Sequence, residues 1–561
     1  MSNLAPLPKT KLIVSRAIQR LLRREDTWAS HIRKLFQRDI GPLLDVRQSP
    51  NKQGLVLFWT PMAPWPHMLI EYAIATNLRL RDYEVLFCVC DGYLPHCEME
   101  RANFPRPACE TCWQESKRIL SAFQLPHKVL SDYVSADEIR TLTGQLNLEQ
   151  EDKLRLLTMN NIELGKYSFQ YLTTYFNGPV TEYGSYEQGI FRRILAGNVL
   201  AQKYAERVVQ QYKPLAVVML DGNLCQTFPA FHVFRATGIR VVTWDDYSPY
   251  QDSFLFLQNR TTADAAMDEE TWLKIKQETL TTAQEARVDS FLQDWPAGRL
   301  SDIVYHPQPQ KDSNAIRQKL GVDPNRRVFV ALTNVIWDSA ALGRDIGFKG
   351  MMDWLYALCD WFLQHPKDQL VVRVHPAEKR LPAAYRTTNG VAGLIQHRYG
   401  DQLRKGSIRI VDAEDDIYSY TLAEMADAIG VYTSSIAIEL ATRGILPWVA
   451  GKVHYRGKGF TIDLEGVEHL YHLLDQDQWE RKLGEEGKAL ARRYLYARVE
   501  RQVTGIPFLT RHATAYTRPN FKDLQFMIPR HDPQVDTLVD RVLDGKPFID
   551  VPRQSTAIVS R

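Results

Sequence analysis

Two series of short apolar segments, each segment separated from the next by a helix-length stretch, constrain this chain more than any other feature. The first series comprises GLVLFW (54–59), EVLFCVC (84–90), PLAVVML (214–220) and IRVVTW (239–244). The second comprises RVFVALT (327–333), LVVRVHP (370–376), SIRIVD (407–412), AIGVYT (428–433) and ILPWVA (445–450). Strands that are apolar on both faces and alternate with helices belong to parallel sheets covered on both sides. At 561 residues, with 45% hydrophobic and 24% charged side chains, the chain exceeds what one hydrophobic core supports, so each series becomes its own domain.

The expected fold class is therefore α/β, with two Rossmann-like doubly wound domains facing a cleft, the architecture called GT-B. The boundaries predicted are a basic helical extension over 1–48, a first Rossmann-like acceptor domain over 49–263, a polar connecting segment over 264–320, a nucleotide-donor domain over 321–505 and an accessory tail over 506–561. In such sheets ligands lie at the carboxyl ends of the strands.

Several partners are excluded or narrowed by composition. A net charge of +3, without a recognition motif, predicts no nucleic-acid partner. The longest apolar runs fall well short of the roughly 20 residues that span a bilayer. No secretory signal is visible at the N-terminus, and a cytoplasmic location is expected. LIVSRAIQRLLRR (12–24) has two readings: an extension packed on the body, or a basic helix making peripheral contact with anionic lipid at the inner face of the membrane.

The strand LVVRVHP delivers Arg373 and His375 to its end, and Pro376 fixes the backbone where a ligand loop begins. In VYTSSIAIELATRG, residues Thr433, Ser434 and Ser435 occupy the turn from a strand into a helix. Serine there caps a helix, and the same hydroxyls and N–H groups suit a phosphate. Glu439 follows one helical turn later, where a carboxylate can accept both hydroxyls of a ribose.

The ordered set RVHPAE, VDAEDD, VYTSSIAIELATRG and ILPWVAGKVHYRGKGFTID, within residues 371–463, resembles the capsular polysaccharide synthesis family of GT-B glycosyltransferases, which includes bacterial Kdo transferases. The chain departs from that pattern in having Glu439-Leu440 for Glu-Ala, and Gly444-Ile445-Leu446-Pro447 for a tight Gly-Lys-Pro. The resemblance implies transfer of a sugar from a nucleotide sugar to a glycan or glycolipid acceptor in bacterial surface polysaccharide synthesis. It implies donor phosphates on His375, Ser434 and Ser435, ribose on Glu439, and Arg373, Thr433, Gly451 and Tyr455 around them. CMP is the favoured nucleotide, with UDP, GDP and dTDP open. The same motifs leave two alternatives: a CDP-glycerol-type polyol-phosphate transferase, and a non-catalytic assembly subunit that keeps the GT-B shell.

Such a transfer needs a base for the acceptor hydroxyl. Strand-end acids Asp91, Asp221 and Asp245 or Asp246 are the candidates from the first series, with His67 beside them, and His375 of the second can act as an acid or donate a hydrogen bond to a phosphate. No catalytic metal is expected, and Glu414-Asp415-Asp416 is taken as a loop. Cys90, Cys97, Cys109 and Cys112 form C-x6-C-x11-C-x2-C, a spacing that suits structural zinc; an iron–sulfur cluster and free thiols are the alternatives.

Overall fold

Strand β1 (Leu55–Thr60) shows how the apolar runs become doubly covered sheets. Val56 and Phe58 enter one core while Leu57 and Trp59 enter another, as the two-residue period of a strand requires. Both sets are fully buried, so helices must cover both faces. The same division recurs in β7 (Val328–Leu332), where Val328, Val330 and Leu332 face one core and Phe329 and Ala331 the other. In the computed structural model, residues 28–46, 52–61, 67–103, 109–245, 250, 252–300, 308–512 and 516–550 are described.

The first sheet contains β1, β2 (Glu84–Val89), β3 (His127–Val129), β4 (Ala216–Leu220), β5 (Arg240–Asp245), β6 (Ser253–Gln258) and β13 (Val503–Gly505), in the order β13-β6-β5-β4-β1-β2-β3. β3 through β5 pair in parallel, while β6 and β13 are antiparallel additions. The second sheet, order β12-β11-β10-β7-β8-β9, adds β8 (Gln369–Arg373), β9 (Ile408–Val411), β10 (Ala428–Val431), β11 (Pro447–Val449) and β12 (Ile462–Asp463), all parallel. The fold is thus two Rossmann-like α/β domains. In each, strand order reverses at the first strand, between β1 and β4 in one sheet and between β7 and β10 in the other. Such reversals open crevices at the carboxyl ends, where α/β proteins bind ligands.

The helices of the segment 264–320, Glu269–Ile275, Thr282–Asp294 and Ser313–Leu320, pack on the second domain. Trp272, Ile275, Val288, Phe291 and Ile316 join the core of that sheet. The boundary expected at 505 needs correction. The chain has already returned to the first domain at β13, which pairs antiparallel with β6, and the helix Pro533–Asp544 then buries Val535, Leu538, Val539 and Val542 in the first core. A three-residue strand carries no periodicity to read, and its place is set by the otherwise unpaired edge of β6. Of the N-terminal extension, helix 28–39 buries Ile32, Leu35 and Phe36 in the same core. The basic stretch 12–24 lies outside the described residues. Among those described, no helix is long and apolar enough to cross a membrane.

One end of the cleft is bridged by hydrogen bonds between domains. Thr174 Oγ1 donates to the Trp337 carbonyl (3.1 Å), Asn177 Nδ2 to that of Ala384 (2.7 Å), and the Thr388 N–H to that of Asn177 (3.0 Å). Deeper in the second domain, Gly430 lets β10 pass under two rings: a Cβ there would lie 2.8 Å from both Phe329 Cζ and Trp354 Cζ2. Gly430→Ala is expected to lower stability by about 1–3 kcal/mol through overpacking. Denaturant unfolding checks this; an unchanged midpoint would show that the rings yield freely.

Candidate functional site

Asp221 ends β4 at the reversal point of the first sheet. It adopts φ +58°, followed by Gly222 at +86°, a tight left-handed turn that lifts the carboxyl off the strand. The residue is 6% exposed. Its Oδ1 accepts from the Thr262 hydroxyl and from Asn223 Nδ2 (2.9 Å), and the Asn223 backbone N–H also favours the ionised carboxyl. Burial pushes its pKa upward, and the Thr262 and Asn223 hydrogen bonds oppose that shift. Asp245, at the end of β5, shares Thr262, whose hydroxyl lies 3.2 Å from its Oδ2. Asp91 follows β2 and accepts the Ser131 hydroxyl. The His67 ring packs 5.0 Å from Trp244. Asp246 lies outside the described residues.

The second domain answers with the loop that follows β7. Asn334 Oδ1 accepts the Thr433 N–H (3.1 Å), and the Thr433 hydroxyl donates to the Ala340 carbonyl (2.6 Å). That loop is therefore stitched to the hydroxyl-rich turn after β10. The Tyr455 hydroxyl donates to the Ser434 carbonyl (2.6 Å), tying in the segment after β11. Gly451 permits the approach, since a Cβ there would meet Thr433 Cγ2 at 2.7 Å. Ser434 and Ser435 are half-buried, and Ser435 precedes the helix Ile436–Thr442 without a side-chain capping bond. The capping expected from sequence is thus absent.

His375 stands just beyond β8. Its N–H donates to Thr333 Oγ1 (2.9 Å), and its Nδ1 accepts the Ala377 N–H (3.2 Å), so a neutral ring carries its proton on Nε2. Two other motif residues have different surroundings from those expected. Arg373 is 2% exposed and spends its guanidinium on the carbonyls of Asp412, Asp415 and Ile417, bracing the acidic loop from within. Burial lowers its pKa to about 10. Glu439 is 4% exposed and accepts the Tyr420 hydroxyl, with burial pushing its pKa to about 7. That is an interior carboxyl, not the open ribose anchor the motif predicts. Helical spacing alone does not say which neighbour fills the space beside a carboxylate. The acids of the 414–416 loop pair outward, Asp415 with Lys319 and Asp416 with Arg380.

Between the two domains lies a cavity of about 450 Å³, lined by Arg101, Tyr167 and Phe228 from the first and Trp337, Asp338 and Arg344 from the second. The Arg101 guanidinium sits 5.3 Å from the centre of the Trp337 ring across the domain boundary. Arg344 is 8% exposed. Its Nε makes one long hydrogen bond to the Ser339 carbonyl (3.4 Å), while Nη1 and Nη2 make none among the described residues.

No family model and no curated protein sequence matches the chain. Among solved structures it is similar to two Thermosulfurimonas dismutans KpsC structures. One is the beta Kdo 2,7 transferase, at 13% identity, covering 61% of this chain and 89% of that one, TM-score 0.30. The other is the beta Kdo 2,4 transferase, at 12% identity, 59% and 87% coverage, TM-score 0.33. It is also similar to the UDP-GlcNAc 2-epimerase from Neisseria meningitidis bound to UDP-GlcNAc, at 11% identity, 88% and 99% coverage, TM-score 0.23. Scores this low carry no argument, and the fold rests on the two sheets.

The cysteine motif spans residues 104–108, which lie outside the described residues. Cys90, Cys97, Cys109 and Cys112 are half-buried, and burial raises Cys90 and takes Cys97 to about 12. Among the described residues, no three His, Cys, Asp or Glu side chains are arranged to hold a metal ion. The helix Cys109–Ala122 places Cys109 and Cys112 one turn apart on one face. Sequence reasoning also passed over Arg344 and Trp337. The one signal was Gly343, whose φ of +65° turns the loop just before Arg344.

Proposed function

We propose that this protein is a glycosyltransferase that moves a sugar from a nucleotide sugar to a glycan or glycolipid acceptor. The donor lies against the β7/β10 crevice, with His375, Ser434 and Ser435 toward its phosphate. The acceptor approaches over the first domain, and Asp221 is the base. In the reaction the acceptor oxygen bonds to the anomeric carbon, its proton passes to Asp221, and the bond from that carbon to the donor phosphate breaks with its electron pair leaving on the nucleotide. The observation that carries this reading is the buried Asp221, presented at one reversal point across the cleft from the loops of the other. A buried carboxyl whose pKa is raised by burial at such a place is what proton abstraction needs. The motifs of 371–463 support a role in bacterial surface polysaccharide assembly with a CMP-linked donor.

A thermal-shift panel of CMP, CDP, UDP, GDP and dTDP tests it. One nucleotide is expected to raise the melting temperature, by about 2.7 kcal/mol of added stability at a hundredfold excess over its Kd. His375→Ala is expected to reduce that shift. If no nucleotide moves the melting temperature of the wild type, the reading fails. Product analysis with the nucleotide sugar then separates sugar transfer from transfer of a polyol phosphate.

A further inference from the structure

We infer that Arg344 is a phosphate receptor, presented in the cavity between the domains to bind a phosphate group through its two terminal nitrogens. This rests on the glycosyltransferase reading only for the source of the phosphate. A guanidinium has five N–H donors, and desolvating it without a partner is costly. Arg344 is nine-tenths buried, yet it uses only Nε, and that bond is long. Among the described residues, no carboxylate stands within salt-bridge distance. Asp345 faces the Tyr432 hydroxyl (3.3 Å), and Asp338 accepts the Ala340 N–H (2.9 Å) within its own turn. Asp264 and Asp221 favour the charge only from farther away, while burial lowers the Arg344 pKa.

The backbone holds this unpartnered group in place. Gly343 supplies the left-handed turn, and the Arg344 carbonyl accepts the Lys452 N–H (2.8 Å), linking the β7 loop to the loop after β11. A second observation concerns the surroundings. His454 is half-buried and contacts the Tyr494 hydroxyl through Nδ1 (2.8 Å), and desolvation, followed by the charges of Arg498, Arg344 and Lys458, holds it well below the usual imidazole range. Three cations thus bear on one side chain beside Arg344, and an anion bound to the guanidinium would complement them. The helix Ile436–Thr442, only seven residues long, is a weaker phosphate holder than this arginine.

The phosphate can belong to the nucleotide donor or to a phosphorylated acceptor, and calorimetric titration distinguishes them. The probes are inorganic phosphate, glycerol 3-phosphate, CMP and UMP, with cytidine and uridine as phosphate-free partners. Wild type is expected to bind at least one phosphate probe, and Arg344→Gln to bind it about 10- to 100-fold more weakly, the loss of a charge-assisted bidentate contact. Arg344→Lys, which keeps the charge without the fork, should fall between. Preference for CMP or UMP places the phosphate on the donor; preference for glycerol 3-phosphate places it on the acceptor. Without any ligand, Arg344→Gln should melt at the same temperature as wild type or higher, because an uncompensated buried charge has been removed. A structural arginine predicts the opposite.

The inference is overturned if wild type binds none of the phosphate probes, or if Arg344→Gln binds them as wild type does. It is also overturned if the unliganded variant is destabilised with unchanged affinity. Inorganic phosphate bound through Arg344 with no nucleotide binding would sink the nucleotide-sugar reading and leave the receptor standing. Nucleotide bound equally by wild type and variant would do the reverse.

Discussion

Asp221→Asn lowers the rate of sugar transfer by about 10²- to 10⁴-fold, the usual contribution of a positioned base. Nucleotide affinity stays the same or tightens, since the substitution removes a negative charge facing Arg344 across the cleft. The side chain is set for this split. Asn keeps an oxygen for the Thr262 hydroxyl and the Asn223 amide, so the turn at φ +58° need not change. What disappears is the basic Oδ2. Asp245→Asn is the comparison, because Asp245 also meets Thr262 but is not at the reversal point. Steady-state kinetics on both variants, with nucleotide affinity measured separately, checks the assignment. An Asp221→Asn enzyme within threefold of wild type, or a larger loss at Asp245, would move the base elsewhere.

The second large effect concerns stability. Glu71, in the first turn of the helix Leu69–Leu80, is fully buried; it accepts the Thr60 hydroxyl from the end of β1 and Trp244 Nε1 (2.8 Å) from β5. Burial raises its pKa from 4.5 to about 8, against those two hydrogen bonds. A carboxyl whose folded pKa exceeds its unfolded value stabilises the fold most below the unfolded value, and that stability is lost as pH rises through the folded one. Between about pH 4.5 and 8, wild type should therefore lose roughly 4 kcal/mol that Glu71→Gln does not lose. The glutamine can keep both contacts, because the Thr60 hydroxyl can turn to accept its amide. The difference in unfolding free energy between variant and wild type should widen with pH and level off above about 8. Parallel curves would mean that Glu71 is already ionised in the fold. Glu378, raised to about 8, and Glu439, raised to about 7, tilt both proteins alike and cancel in the difference.

Legibility followed the range of the interactions. The apolar runs at 54–59, 84–90, 327–333 and 370–376 each became a parallel strand, because a strand buried on both faces has no polar position to hide. The turn 432–435 was legible as a turn, since β10 and the following helix are both strong local signals. Glu439 was not. Helical periodicity gives its depth but not that Tyr420, 19 residues earlier, closes over it. Arg373 likewise reads as a strand-end cation until the carbonyls of the 412–417 loop are seen around it.

The sequence by itself determined that there are two α/β domains, where their strands lie, and that a hydroxyl-rich turn and a histidine stand at strand ends of the second. These follow from hydrophobic period and from proline and glycine, which act within a few residues. Only the tertiary structure decided that β13 and the last helix return to the first domain, that Glu439 meets Tyr420 and Arg373 meets the carbonyls of the 412–417 loop, and that Arg344 lines the cavity between the domains. Whether a buried charge is satisfied depends on atoms contributed from distant parts of the chain, and no local pattern encodes that.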